Sequence, residues 1–126
     1  MPRFGRRLAI VAVLAIVAVL ALAGALVTAG VVYAKTFKLS ASKTQLKFNV
    51  STIRAKKGSV TLRMANPSGL PHAIAIKGHG KNVKGKTVNK GGTSTVTVTL
   101  KKGTYTFYCP VDGHAAAGMK GKLIVS

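Results

Sequence analysis

Apolar and polar positions divide this chain at residue 34. Leu8 to Ala34 runs 27 residues without a charge, longer than the roughly 7–15 of a secretory signal and past the roughly 20 that a spanning helix needs. Residues 1–34 are therefore predicted to be a signal-anchor. The alternative is a signal peptide cleaved after Ala34, because Val32-Tyr33-Ala34 offers small side chains where a signal peptidase reads them. A buried core helix does not fit, since the run has no polar face to give to solvent. Arg3, Arg6 and Arg7 precede the run and favour a cytoplasmic N-terminus, although Lys35, Lys38 and Lys43 on the other flank weaken the asymmetry.

Beyond Ala34 the pattern becomes alternation of period two. Lys35 to Ser42 is short and polar, and residues 35–45 read as a linker or first edge strand. Lys43 to Val50 alternates around Leu46 and Phe48, and Ser51 to Lys57 gives a second extended piece. Ser59 to Ala65 places Val60, Leu62 and Met64 on one face against Thr61 and Arg63 on the other. Asn66-Pro67-Ser68-Gly69 has turn chemistry, with the glycine expected to accept a positive φ. His72 to Lys77 is the next strand, with His72, Ile74 and Ile76 on its inner side. Gly78 to Gly92, rich in glycine and lysine, reads as a long surface connection. Ser94 to Leu100 resumes the alternation, Lys101-Lys102-Gly103 turns the chain, Tyr105, Phe107 and Cys109 share one face, and Leu123 to Val125 closes it. About seven short strands without a helical period predict an all-β, Greek-key sandwich over residues 46–126.

The single cysteine narrows the chemistry. An intrachain disulfide is impossible, and a binuclear copper centre or an iron–sulfur cluster needs more thiolates than Cys109 supplies. An unpaired thiol in an exported protein is explained if a metal occupies it. Cys109, His114 and Met119 follow one another as Cys-x4-His-x4-Met, giving a thiolate, an imidazole and a thioether on one short segment. A thiolate with two imidazoles in a plane and a weak axial thioether is the arrangement of an electron-transfer copper site. The missing imidazole must come from a neighbouring strand, and His72 at the rim of the core offers it. Singly, Cys109 reads as a small buried hydrophobe, His114 as a surface residue, Met119 as a core filler and His72 as a strand cap; the set gives each its role. His79, between two glycines, reads as exposed and outside the set. Asp112, the only acid, reads as a turn residue beside Gly113, and no pair of general base and nucleophile can be built around it, so an enzyme is not expected.

These motifs carry a resemblance. From about Leu46 to Ser126 the chain resembles the cupredoxins, the plastocyanin-like blue-copper family, through Asn66-Pro67-Ser68-Gly69-Leu70-Pro71-His72, Gly103-Thr104-Tyr105-Thr106-Phe107-Tyr108-Cys109, and Gly113-His114 through Met119-Lys120-Gly121. The resemblance implies one copper ion held by His72, Cys109, His114 and Met119, and one-electron transfer through the exposed histidine, here His114, across the apolar surface of Leu70, Pro71 and Ala115 to Gly118. Ala73 is a departure, because many members carry there an asparagine that ties the two ligand loops together.

Twenty Lys and Arg against one Asp give a net charge of +19. Such a field speeds encounter with acidic partners and weakens in salt. Nucleic acid is not expected, because the lysines are spread over turns and strands, stacking aromatics are few and the export segment removes the chain from the genome. The expected partners are an acidic redox protein such as a cytochrome or oxidase, the membrane through the N-terminal segment, and an anionic lipid or envelope polymer. The expected place is the membrane surface facing the periplasm or cell exterior. A copper storage or delivery protein is the alternative function, and an adhesion module that reuses the sandwich is a third.

Overall fold

The computed structural model describes residues 35–126, so the predicted membrane or signal segment lies outside the described residues. Among those residues there are eight strands and no helix: β1 (Lys35–Ser40), β2 (Thr52–Ala55), β3 (Gly58–Ala65), β4 (Ala75–Gly78), β5 (Lys81–Lys84), β6 (Thr93–Leu100), β7 (Gly103–Tyr108) and β8 (Lys120–Val125). They form a three-stranded sheet in the order β1-β3-β6 and a five-stranded sheet in the order β2-β8-β7-β4-β5. The predicted all-β sandwich is present.

The core lies between the sheets and is built by alternation. Val60, Leu62 and Met64 of β3 and Val96, Val98 and Leu100 of β6 pack in one core with Ile53, Ile76, Tyr105, Phe107, Leu123 and Val125 of the other sheet and with Ile74 just before β4. The opposite face of β6 carries Thr93, Thr95, Thr97 and Thr99 to solvent, and Thr61 and Thr97 share a hydrogen bond of 2.8 Å across the register. Phe107 fills the centre and packs against Phe48 at 5.6 Å between ring centroids. Gly121 makes this possible, since a Cβ there would lie 2.2 Å from Phe107 Cζ. A side chain at 121 would displace the ring two residues before Cys109.

Four expectations are corrected. Lys43 to Val50 is not a strand: the Ser42 hydroxyl accepts the N–H of Thr44 and of Gln45, a side-chain turn that competes with ladder pairing, and only the Ala41–Phe48 bridge remains. Gly78 to Gly92 is not simply a connection. It contains β5, which forms a hairpin with β4, and Val88, which bridges to His72. The strand expected from His72 begins at Ala75, and the whole stretch from His72 to Ile76 is buried rather than alternate positions. Gly69 does not take a positive φ, and Asn66 fixes that turn instead. Lys35–Ser40 forms an edge strand, parallel to β3, with Leu39 in the core.

Candidate metal centre

Three segments meet at one end of the sandwich. β7 runs from Gly103 to Tyr108 and delivers Cys109, fully buried, at its far end. The chain then turns through Asp112 to Gly118, with Gly113 at a φ of 77°, a conformation that glycine accepts without strain. In that turn the N–H of His114 donates to Val111 O and that of Ala117 to Gly113 O. Met119, fully buried, closes it: its N–H donates to His114 O at 3.1 Å and its carbonyl accepts the Cys109 N–H at 3.0 Å. The backbone of the loop thus ties Cys109, His114 and Met119 to one another.

His72 arrives from the segment before β4, held by reciprocal backbone hydrogen bonds with Val88 of 2.8 and 3.1 Å. Its ring is buried and lies 5.0 Å from that of His114, while His114 itself is half-buried. The donor atoms converge. His72 Nδ1 is 3.2 Å from His114 Nδ1, and Cys109 Sγ is 3.9 Å from the first and 3.6 Å from the second. A triangle with these edges has a circumradius of about 2.1 Å, so one point lies at metal-ligand bond length, about 2.0–2.3 Å, from all three donors. A soft thiolate and two imidazoles in that disposition fit copper.

Asn66 supports this end, a role the sequence reading did not assign. Its side chain is buried, donates to Leu70 O at 2.8 Å and Val88 O at 2.9 Å, and accepts the Ser68 N–H at 3.0 Å and hydroxyl at 2.8 Å. It clamps the two segments that flank His72, whereas buried Ala73 has no polar group to offer. Ser94 adds a second clamp, accepting the Ile74 N–H and donating to Lys86 O. Each is a polar side chain in a turn or strand with one partner far off in sequence, Val88 for Asn66 and Ile74 for Ser94. Asn66→Ala is expected to destabilise the protein by about 3 kcal/mol, because four hydrogen bonds are lost: the Ser68 N–H is left without its acceptor, and Leu70 O, Val88 O and the Ser68 hydroxyl each lose one of two partners. Chemical denaturation of the variant measures this.

Burial, and secondarily the neighbouring His114, lowers the pKa of His72 below the ordinary 6.5. The neutral imidazole that a metal requires is therefore favoured near neutrality. In the metal-free protein His72 contributes its full stability above pH 6.5, where folded and unfolded forms are both neutral. As pH falls below 6.5, the unfolded chain takes up a proton that the folded one resists, and that stability is lost down to the depressed folded pKa. Copper affinity is expected to fall over the same acid range. Melting curves of the metal-free protein and copper competition between pH 7 and 5 check both signs, and in His72→Gln the melting curves are expected to lose the share of the acid dependence that His72 contributes.

His79 is exposed, as its setting between glycines suggested, and lies apart from these donors. It takes a φ of 51°, rests on Tyr105 at 4.8 Å between ring centroids, and sits 3.2 Å from Thr104 O. Asp112 is exposed in the ligand-loop turn.

Comparison with known proteins agrees with this geometry. Residues 35–126 match the family model for copper binding proteins of the plastocyanin/azurin family. Plastocyanin of Daucus carota is 37% identical, over 71% of this chain and 97% of its own length. Plastocyanin A/B of Petroselinum crispum is 32% identical over the same shares. Among solved structures, dithionite-reduced auracyanin from Roseiflexus castenholzii superposes with a TM-score of 0.66 at 23% identity, covering 75% of this chain and 99% of that one, and supports the fold. With the convergent thiolate and imidazoles, these matches establish that the chain belongs to the copper-binding plastocyanin/azurin family, the cupredoxins.

Proposed function

We propose that this protein carries single electrons between redox partners outside the cytoplasm, and that Cys109, His72, His114 and the thioether of Met119 would hold the copper that does so. The observation that carries the reading is the convergence of the three donor atoms on a point about 2.1 Å from each. Copper, when bound, supplies the one-electron chemistry by cycling between its two oxidation states. The residues do the rest. Cys109 and Met119, both fully buried, keep water from the donors, and the hydrogen bonds of Met119 and Asn66 hold the loops so that the donor positions need change little on electron transfer.

His114 is the ligand nearest solvent. Ala115, Ala116 and Ala117 follow it in the loop, and Leu70, which is 52% exposed, and exposed Pro71 directly precede His72, whose ring lies 5.0 Å from that of His114; these five residues are uncharged. This surface lets a partner approach the imidazole edge, and the net charge of +19 favours an acidic one. Leu70→Asp is expected to leave the copper spectrum unchanged and to slow electron exchange with an acidic redox protein by about tenfold. Stopped-flow kinetics with such a protein reads the rate. A rate equal to that of the unaltered protein would move electron entry away from His114.

The uncharged run from Leu8 to Ala34 supports a membrane anchor that places the domain at the outer surface. A copper storage or delivery role is favoured by no observation beyond Ala73, and the complete donor set speaks against a simple adhesion module.

A further inference from the structure

The end of the sandwich remote from the copper donors is ringed with lysine. The register sets Gly58 opposite Leu100, and Val125 opposite both Gly103 and Ala55, so the β2–β3 turn with Lys56 and Lys57 and the β6–β7 turn with Lys101 and Lys102 lie side by side. Lys35, at the start of β1, pairs with Val60 close to the same end. All five side chains are exposed. No acidic side chain is near them, since Asp112, the only one in the sequence, belongs to the ligand loop at the other end.

Lys35 is also the first residue after the apolar run ending at Ala34. No spacer separates that run from β1. We propose that Lys35, Lys56, Lys57, Lys101 and Lys102 form a collar that docks on anionic lipid headgroups, standing the sandwich on the bilayer with its copper end outward. The inference rests on the reading of Leu8–Ala34 as a membrane anchor. With the apolar run in hydrocarbon, Lys35 sits at headgroup depth. Neighbouring strands are about 4.8 Å apart and facing sheets about 10 Å, so the two lysine turns fall within about one Debye length of the same surface. Juxtamembrane lysines at that range are drawn to anionic lipid. β3 spans eight residues from the collar end to the copper end, about 25 Å, which leaves the His114 surface facing water and open to soluble partners.

The test uses the full chain reconstituted in vesicles of phosphatidylcholine alone and in vesicles containing about one-third phosphatidylglycerol. Lysine acetylation rates are read residue by residue by mass spectrometry. The collar lysines are expected to react about fivefold more slowly in the anionic vesicles, with the protection erased by high salt. Lys43, beside the His72 cleft, and Lys86 and Lys90, flanking Val88, serve as the opposite end and should react equally in both. Exchanging Lys56 and Lys57 together for glutamate should weaken the protection of Lys101 and Lys102, which lie beside them, while leaving the copper colour intact. Flotation with the neutral vesicles reads the anchor independently of lysine charge. A chain that floats but shows no protection, or the same protection at both ends, overturns the collar alone; a chain that does not float overturns the anchor and the collar with it.

Discussion

Cys109→Ser is expected to lower cupric-ion affinity by at least about 100-fold, read by competition with a chromophoric chelator, while the fold survives. Second-shell changes around a metal commonly cost about 10- to 100-fold, and this substitution removes the soft ligand itself. A serine hydroxyl is a hard, neutral donor that binds copper poorly in place of a thiolate. The fold survives because serine is close to cysteine in size, because the ring nitrogens of His72 and His114, 3.9 and 3.6 Å from Sγ, can meet a hydroxyl after a small shift, and because the Cys109 N–H keeps its bond to Met119 O. Unchanged affinity in the variant would mean that the metal is held by histidines alone.

Copper loading is expected to raise the melting temperature by at least about 10 °C, read by calorimetry with and without an excess of the ion. The donors come from His72 and from the loop Cys109 to Met119, 37 residues apart at Cys109, so only the folded chain brings them together. A ligand that binds only the folded state adds about 4 kcal/mol at a thousandfold excess over its dissociation constant, and each kcal/mol is worth about 4–8 °C in a domain of this size. The sandwich has no disulfide to share that task, its one cysteine being free. A melting temperature that does not move with copper would show that the donors do not act together as a site.

The site was more legible in the sequence than the strands around it. Cys109, His114 and Met119 are local, so their spacing could be read directly, and the turn that presents them follows from Gly113. His72 required a long-range pairing, which alternation located at the core rim but placed in a strand that begins three residues later. β5 escaped notice because Lys81, Asn82 and Lys84 are exposed and only Val83 turns inward; an edge hairpin strand with one apolar residue carries almost no period. Lys43–Val50 erred the other way. Leu46 and Phe48 alternate as a strand would, but the Ser42 side chain bends the backbone before pairing can begin. The clamp made by Asn66 was invisible for a related reason: an asparagine before proline reads as a turn residue, and nothing local shows that its amide reaches Val88, 22 positions away.

The most direct measurement is a titration of the protein with cupric ion, followed by its visible spectrum. The account predicts an intense blue or green band that saturates at equimolar copper, bleaches with a reductant and returns with an oxidant, as a thiolate-bound redox copper requires. Uptake of cupric ion with only faint colour, or no uptake, would contradict it, because Cys109, His72 and His114 would then not hold the metal together.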